Sequence, residues 1–142
     1  MKRIRNFLVF CLLFVLCTVG FTSCKKGGVA TATILSKTDT QVVIQVNQTD
    51  GNAVLLNVME DLQKKGELTF VVESGMVTSI NGVANDADFD PCWMIYTSDS
   101  EMASTAWGSV EYNGQTFGSA VVGAEALTVI QGGIYIWVYQ GF

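Results

Sequence analysis

The segment Ile134–Gln140 carries large apolar side chains on both of its faces. In an extended chain, successive side chains point in opposite directions. One set is Tyr135, Trp137 and Tyr139, and the other is Ile134, Ile136 and Val138. A strand of this kind needs a covering layer on at least one face, and two layers of the fold would cover both. The alternative is an aromatic platform that stays partly open for a flat ligand or a partner.

Turn-forming residue pairs punctuate the second half of the chain and predict three β-hairpins. Asn113-Gly114 is the strongest of these signals, because both residues tolerate the positive φ angles of a type I′ turn. Ser74-Gly75 and Gly132-Gly133 are the other two pairs. The strands that they would join are residues 68–73 with 76–80, 109–112 with 115–118, and 127–131 with 134–140.

Three further stretches have the composition of strands. Residues 41–47 alternate apolar and polar side chains, which predicts a half-buried strand, and residues 31–36 are its expected partner. Residues 92–96 are apolar throughout. A continuous short run of this kind predicts a strand that is buried on both faces.

One helix is predicted between the early strands and the hairpins, over about residues 53–65. The residues that share one helical face are Leu55, Leu56, Met59 and Leu62. Asp50-Gly51-Asn52 can cap the start of this helix, and Gly66 can end it. Many strands with one packed helix predict an α+β, β-rich single domain built of several hairpins.

Two longer connections are expected to be irregular loops, residues 82–91 and 98–108. Loops on a rigid scaffold often carry binding residues. The second loop contains Met102 and Trp107, two large apolar residues that need an explanation there. A loop that folds back as a lid over the core would explain them, and so would contact with a ligand.

The first residues have the order of a bacterial lipoprotein signal. Basic residues precede a short apolar run, and small residues then precede Cys24. We expect residues 1–23 to be the signal peptide, residues 24–30 a lipidated cysteine with its tether, and residues 31–142 the domain. An ordinary secretory signal or an uncleaved membrane anchor are the alternatives. The expected location is extracytoplasmic, with the membrane contacted through the lipid on Cys24.

The charge of the remaining chain excludes one class of partner. Without residues 1–23, five lysines face all 13 acidic residues, and no arginine remains. A nucleic-acid-binding protein needs basic side chains to neutralise phosphates. We therefore expect no nucleic acid among the partners.

Few residues can support catalysis, so no enzyme and no cofactor are predicted. The chain has no histidine, the commonest general base and metal ligand. Cys92 is the one cysteine expected inside the fold, packed as a small hydrophobe, with a reactive or ligand-touching thiol as the alternative. Asp86, Asp88 and Asp90 match the first ligand positions of a calcium loop, but Pro91 stands in place of the required glycine. We interpret them as a solvated acidic loop and predict no metal site.

Three stretches together resemble a known family. They are the segment Gly66–Val83 with its Val-Thr-Ser-Ile-Asn-Gly run, then Trp93-Met-Ile-Tyr96, and finally Ile136-Trp-Val-Tyr139. They look like the transcobalamin-like C-terminal domain family, a domain of unknown function in bacterial surface proteins. It is similar to the β-domain of transcobalamin and intrinsic factor. The resemblance covers roughly residues 41–139.

The resemblance implies a compact β-rich domain with one helix and no catalysis. In the cobalamin carriers this domain closes over the vitamin from one side, and a large α/α-barrel domain holds the other. The present chain is too short to contain that barrel. It also departs from the family after the tryptophan strand, where residues 97–101 replace a second Asn-Gly.

The resemblance also suggests where a ligand would bind. Its matching positions are Met76 and Val77 at the hairpin turn and Trp93 and Tyr96 on the next strand, and Trp107 joins them by its loop location. All five residues could equally be part of a ligand-free core. The leading hypothesis is a non-enzymatic cell-surface lipoprotein that binds a small planar or hydrophobic ligand, such as a corrinoid. The alternative is a structural or adhesive surface domain that contacts another protein and binds no small molecule.

Overall fold

A computed structural model describes residues 27–142 as two antiparallel sheets and one helix. The predicted α+β, β-rich domain with a single helix is confirmed. The signal peptide and Cys24 lie outside the described residues. No helix within residues 27–142 is both long enough and apolar enough to cross a membrane. The elements are β1 Ala30–Lys37, β2 Gln41–Thr49, α1 Leu55–Lys64, β3 Phe70–Glu73, β4 Met76–Ile80, β5 Val83–Ala84, β6 Cys92–Thr97, β7 Ala103–Tyr112, β8 Gln115–Ala120 and β9 Ile134–Gln140.

The larger sheet has six strands in the order β1-β2-β9-β6-β8-β7, and the smaller has three in the order β3-β4-β5. The predicted pairing of the first two strands is confirmed, since β1 and β2 are antiparallel neighbours. The strand β6 is buried along most of its length, as its apolar composition predicts. In this strand order β9 and β6 are interior strands, and each is hydrogen-bonded to a neighbouring strand on both edges.

Both faces of β9 carry buried side chains, but only one face is covered by a second layer of the fold. Tyr135 and Trp137 belong to the larger core cluster, which includes α1 and the smaller sheet. Ile136 faces the other way, into a second cluster. That second cluster is built from β2, β6, β7, β8 and β9 of the same sheet. The Ile136 face of β9 is therefore covered by neighbouring side chains of the same sheet.

Two of the three predicted hairpins form at the expected pairs. Asn113-Gly114 joins β7 to β8, and Ser74-Gly75 joins β3 to β4. All four turn residues have positive φ, between 49° and 80°. This is the backbone of a type I′ turn, whose twist matches that of the strands it connects.

The third predicted hairpin, at Gly132-Gly133, is wrong. Residues 127–131 instead lie alongside the chain at the start of α1. There the Leu55 N–H donates to the Leu127 carbonyl, and the Val129 N–H donates to the Ala53 carbonyl. The reason is that β9 pairs with β2 on one edge and with β6 on the other. No edge of β9 remains for residues 127–131.

The interpretation of residues 98–108 as one irregular loop is also wrong. The strand β7 already begins at Ala103. Ser104 pairs with Ser119 and Ser109 with the adjacent Gly118, so residues 105–108 are inserted between neighbouring pairs as a wide bulge. The other expected loop, residues 82–91, is irregular apart from the two-residue strand β5.

The helix is where the apolar spacing predicts it, but its start is not capped as expected. Asp50-Gly51-Asn52 forms a separate turn, with the Asp50 carboxylate accepting from the Asn52 N–H. The helix begins after Val54, whose N–H donates to the side-chain oxygen of Asn57 at 3.1 Å. The helix ends at Lys64, and Gly66 (φ 75°), the residue predicted to stop it, follows the C-cap residue Lys65.

Residues 24–30 are the expected tether, and the part of it that the structure describes, residues 27–30, packs against the domain. A Cβ at Gly28 would overlap the backbone of Asn52 and Ala53. Val29 exchanges two hydrogen bonds with Asp50, one to the backbone and one to the carboxylate. The Val29 N–H and the Asn52 N–H hold the pKa of the Asp50 carboxyl below its ordinary value. The chain is therefore fixed on the fold from Gly28 onward, and β1 begins two residues later.

Candidate functional site

A cavity of about 350 Å³ lies between the β3–β4 turn and the segment that follows β8. This volume is near the lower end of the range of small-molecule sites, roughly 300–1,000 Å³. Strands β6 and β9 supply the wall between these two rims. The lining residues are Ser74, Gly75, Met76, Val77, Trp93, Met94, Ile95, Ser119, Ala120, Val121, Val122, Gly123, Ala124 and Trp137. Among residues 27–142, no charged side chain lines this cavity.

The hairpin turn at Ser74-Gly75 brings Met76 and Val77 to one rim. Val77 points into the larger core and is almost fully buried, whereas Met76 is 52% exposed. This difference follows from the alternation of side chains along β4. The opposite rim approaches the same turn, because a Cβ at Gly75 would lie 2.7 Å from a carboxylate oxygen of Glu125. A glycine at position 75 therefore allows the two rims to come together.

Trp93 forms part of the wall and is held by several contacts. Its indole Nε1 donates to the Val83 carbonyl at 2.8 Å. Its ring packs against that of Tyr139, with the ring centroids 5.4 Å apart. The Tyr139 hydroxyl in turn donates to the Ala84 carbonyl at 3.0 Å. The two aromatic residues thus connect the larger sheet to β5 of the smaller one.

Asn85, in the loop that precedes β6, joins the rim at Val77 to the wall at Trp93. Its side-chain nitrogen donates to the Val77 carbonyl at 3.3 Å, and its side-chain oxygen accepts from the Trp93 N–H at 2.8 Å. One amide group thereby fixes the backbone of two cavity residues. The sequence shows Asn85 only as one of several polar residues in an expected loop, so this role was missed.

Trp137 also lines the cavity, but its indole N–H, unlike that of Trp93, has no hydrogen-bond acceptor among the described residues. It is 3% exposed, and its Nε1 is buried without a hydrogen-bond partner in residues 27–142. A buried donor without an acceptor costs about 1–3 kcal/mol. The cavity wall therefore contains two tryptophans, one whose indole N–H is paired and one whose indole N–H is not.

Three of the five residues proposed from the sequence come together in this cavity. Met76, Val77 and Trp93 all line it. Tyr96 does not, because its position on β6 places it in the second core cluster, on the opposite face of the sheet. There it is 1% exposed and its hydroxyl accepts from the Gln140 side chain at 2.7 Å. The expectation that Tyr96 shares a ligand site with Trp93 is therefore wrong.

Trp107 is also separate from the cavity and covers no part of the core. It lies in the bulge of β7 and is 62% exposed. Gly108 follows it with φ 118°, and a Cβ there would contact the Tyr96 hydroxyl at 3.4 Å. The backbone beside Trp107 therefore sits on the sheet while its indole projects outward. Met102 does pack on the larger core, so the lid interpretation holds for Met102 and fails for Trp107.

The sequence did not indicate the rim formed by residues 119–124. These residues are small or β-branched, and they have neither the alternation of a strand nor the spacing of a helix. Trp137 was recognised as part of an aromatic face but was not assigned to a site. The sequence does not show this rim because its approach to the β3–β4 turn depends on the pairing of β8 with β6, two strands that are distant in sequence.

Cys92 and the acidic loop lie outside the cavity. Cys92 is buried, and burial together with the nearby Asp90 carboxylate raises the pKa of its thiol. In the acidic loop, the Asp86 carboxylate accepts from the Asp88 N–H and the Asp90 carboxylate from the Phe142 N–H. Within the described range, 27–142, no group of three or more acidic or cysteine side chains is placed to hold a metal ion.

Comparisons of this chain with models of protein families, with curated proteins and with solved structures found no match.

Proposed function

We propose that the protein is a non-enzymatic, lipid-anchored surface module that binds a small planar or hydrophobic molecule in the cavity described above. The observation that carries this proposal is the convergence of Met76, Val77 and Trp93 with Trp137 on one uncharged cavity. These residues come from the smaller sheet and from two strands of the larger one. Small-molecule sites are typically concave and apolar, with few polar groups.

The chemistry of the chain supports binding rather than catalysis. A catalytic site needs a nucleophile, base or acid within reach of its substrate. The cavity lining contains two serines and no titratable side chain apart from these hydroxyl groups, within the part of the chain that is described. Cys92 keeps its proton at neutral pH because burial raises the pKa of the thiol. Only the thiolate is a good nucleophile.

The location and the family belong to the same proposal. We infer that Cys24 is acylated after export, since the basic start, the apolar run and the small residues before Cys24 have the order of a lipoprotein signal. We likewise propose membership of the transcobalamin-like C-terminal domain family. A corrinoid is larger than a cavity of about 350 Å³, so it would lie across the mouth, against the exposed Met76, with only an edge inside.

A titration with matched variants tests the binding proposal. Cobalamin, cobinamide and small aromatic compounds are titrated by calorimetry and absorbance into the processed protein. Ala120→Leu adds side-chain volume at a lining position, and Ala126→Leu adds the same volume at an exposed position nearby. We expect binding by the unchanged protein and by Ala126→Leu, and its loss in Ala120→Leu. Equal binding by both variants, or binding by neither the variants nor the parent, would contradict the proposal.

Anchoring is tested separately in cells. Labelling with a radioactive fatty acid should mark the unchanged protein, whereas Cys24→Ala should be unlabelled. The unlabelled form should no longer be retained with the membrane fraction once its signal is removed. Equal labelling of both forms would rule out Cys24 as the acylated residue.

A second candidate function, docking on another protein, is favoured by Trp107. This side chain is 62% exposed at the outer edge of the larger sheet, and exposed tryptophans are frequent anchors of protein interfaces. The strand β1, which follows the tether, forms the other edge of that sheet. A partner could therefore approach Trp107 without contacting the tether.

Two alanine variants distinguish this candidate from the first. Trp107→Ala should abolish cross-linking of the protein to a surface partner, and Leu35→Ala serves as the control because Leu35 is exposed on β1. Neither variant alters the cavity lining, so small-molecule binding should be unchanged in both. Identical cross-linking of the two variants and the parent would exclude Trp107 as the docking residue.

A further inference from the structure

We propose that the ligand is an uncharged, flat and mainly apolar molecule with one hydrogen-bond acceptor, and that the indole N–H of Trp137 donates to that acceptor. This inference rests on the proposed small-molecule function of the cavity and specifies its ligand. Trp137 Nε1 is buried without a partner among the described residues, and Trp137 lines the cavity. A ligand acceptor would supply the hydrogen bond that the protein itself leaves unmade.

Comparison of the two cavity tryptophans shows that the unpaired N–H is not a general property of this wall. Trp93 is almost equally buried, yet its Nε1 donates to the Val83 carbonyl at 2.8 Å. Buried polar groups in proteins are paired in the great majority of cases, and each exception calls for a physical explanation. A donor reserved for a ligand is the explanation that the position of Trp137 in the cavity wall supports.

The lining also sets the charge of the ligand. Within residues 27–142 the lining includes Ser74, Ser119 and the two indoles but no charged side chain, and the Glu125 carboxylate lies beside Gly75 at the rim. Burying an ionised group without a charged partner is unfavourable by several kcal/mol. The expected ligand therefore carries a neutral acceptor, such as a ketone, amide or ether oxygen, rather than a carboxylate or phosphate.

The size and the side chains of the cavity set the shape of the ligand. At roughly 30 Å³ for each water-sized atom, about 350 Å³ accommodates on the order of a dozen non-hydrogen atoms. Met76 lines the cavity at its rim together with the two indoles, and thioether sulfur packs favourably against aromatic rings. A one- or two-ring compound with a carbonyl group satisfies these conditions.

The acceptor must reach a nitrogen that has no exposed surface in the unliganded protein. A small rearrangement of the lining is therefore part of the inference. Methionine side chains are unbranched and adapt readily to different shapes. Met76 is 52% exposed at the rim, so a change in its rotamer leaves the sheet pairing intact.

The test uses two probes that differ in a single acceptor, 1-indanone and indane. Both are titrated into the processed protein, beginning at residue 24 with Cys24→Ser, and into its Trp137→Phe variant. Phenylalanine keeps an aromatic ring but lacks the donor. We expect the ratio of the indanone and indane affinities to fall by about five- to ten-fold in Trp137→Phe, the usual worth of one neutral hydrogen bond. The ratio cancels any effect of the smaller ring on both probes.

A spectroscopic measurement on the unsubstituted indole provides a second readout. In the ¹H–¹⁵N spectrum of the parent protein, indanone should move the Trp137 indole signal downfield, whereas indane should not. The Trp93 indole, already bonded to the Val83 carbonyl, should respond little to either probe. This readout remains informative even if Trp137→Phe fails to fold.

The outcomes separate this inference from the broader proposal. If both probes bind, Ala120→Leu blocks both, and Trp137→Phe leaves their affinity ratio within two-fold of the parent, the hydrogen bond to Trp137 is refuted while the cavity remains a binding site. If neither probe binds at millimolar concentration, the proposed small-molecule function and this inference both fail. A five-fold or larger fall in the ratio, with the selective indole shift, supports them together.

Discussion

The indole nitrogen of Trp93 donates to the Val83 carbonyl across the junction between the two sheets. Trp93 lies on β6 of the larger sheet, and Val83 lies on β5 at the edge of the smaller one. Asn85 and Tyr139 add hydrogen bonds across the same junction. These polar contacts act together with the apolar packing of Val77 and Ile80 in the larger core to position the β3–β4 hairpin, and with it one rim of the cavity.

Replacing Trp93 with phenylalanine should destabilise the protein more than the same change at Trp137. Both residues are buried aromatic members of the larger core. Trp93→Phe also leaves the Val83 carbonyl without its donor, whereas Trp137→Phe removes a donor that has no acceptor. We expect a difference of about 1–3 kcal/mol in the free energy of unfolding, measured with urea. Equal losses in the two variants would mean that the hydrogen bond to Val83 contributes nothing.

Asn85→Ala should weaken both the domain and the binding of cavity ligands. The substitution removes the donor to the Val77 carbonyl and the acceptor of the Trp93 N–H. We expect the free energy of unfolding to fall by about 1–3 kcal/mol. Asn52→Ala is the control, because Asn52 is exposed outside the cavity. Ligand affinity should fall in Asn85→Ala alone, since only Asn85 positions the backbone of two lining residues.

Local signals in the sequence predicted the elements well, and the reason is that these signals act over a few residues. Asn113-Gly114 and Ser74-Gly75 specify their own turns, and the helical spacing of Leu55, Met59 and Leu62 specifies a buried face. The expected hairpin at Gly132-Gly133 failed for the opposite reason. A turn signal does not show that β9 already has two partners, since β2 and β6 are distant in sequence.

The candidate site was predicted only in part. Alternation correctly separated the two faces of β9, and the same rule puts Trp93 and Tyr96, three residues apart on β6, on opposite faces and in different cores. The family resemblance grouped these two residues without regard to their faces. Trp107 was expected in a loop, as part of the connection 98–108, but it lies in the bulge of β7. Gly108 is the local sign of the bulge, since φ 118° favours glycine.

Gly28→Ala should disturb the start of the domain, whereas Gly123→Ala should not. A Cβ at position 28 would overlap the backbone of Ala53, while a Cβ at position 123 would meet nothing within 4 Å. Neither glycine requires a positive φ, so the comparison isolates the steric effect. We expect Gly28→Ala to lower the free energy of unfolding by about 1–3 kcal/mol. A thermal melt that is unchanged in Gly28→Ala would show that residues 27–29 are not docked in solution.

Alkaline pH should destabilise the fold through two buried acids. Burial and the Asp90 charge raise the pKa of the Cys92 thiol, and burial also raises the pKa of the Tyr135 phenol, although the Ile130 N–H partly offsets that rise. A folded pKa above the unfolded value means that the unfolded chain releases its proton first. For Cys92 the stabilising contribution is therefore complete only below the unfolded thiol pKa of about 8.5, and it decreases as the pH rises above that value.

The free energy of unfolding, measured with urea at pH 8 and pH 10.5, checks this pH dependence. Cys92→Ala removes one of the two groups, so the decrease between these pH values should be smaller in that variant than in the parent. The neutral thiol should also react slowly with iodoacetamide at pH 8 until urea unfolds the chain, because only the thiolate reacts and the folded protein holds it protonated and buried. Rapid alkylation of the folded protein would contradict the burial of Cys92, and an identical pH dependence in Cys92→Ala would assign the alkaline loss of stability to Tyr135 alone.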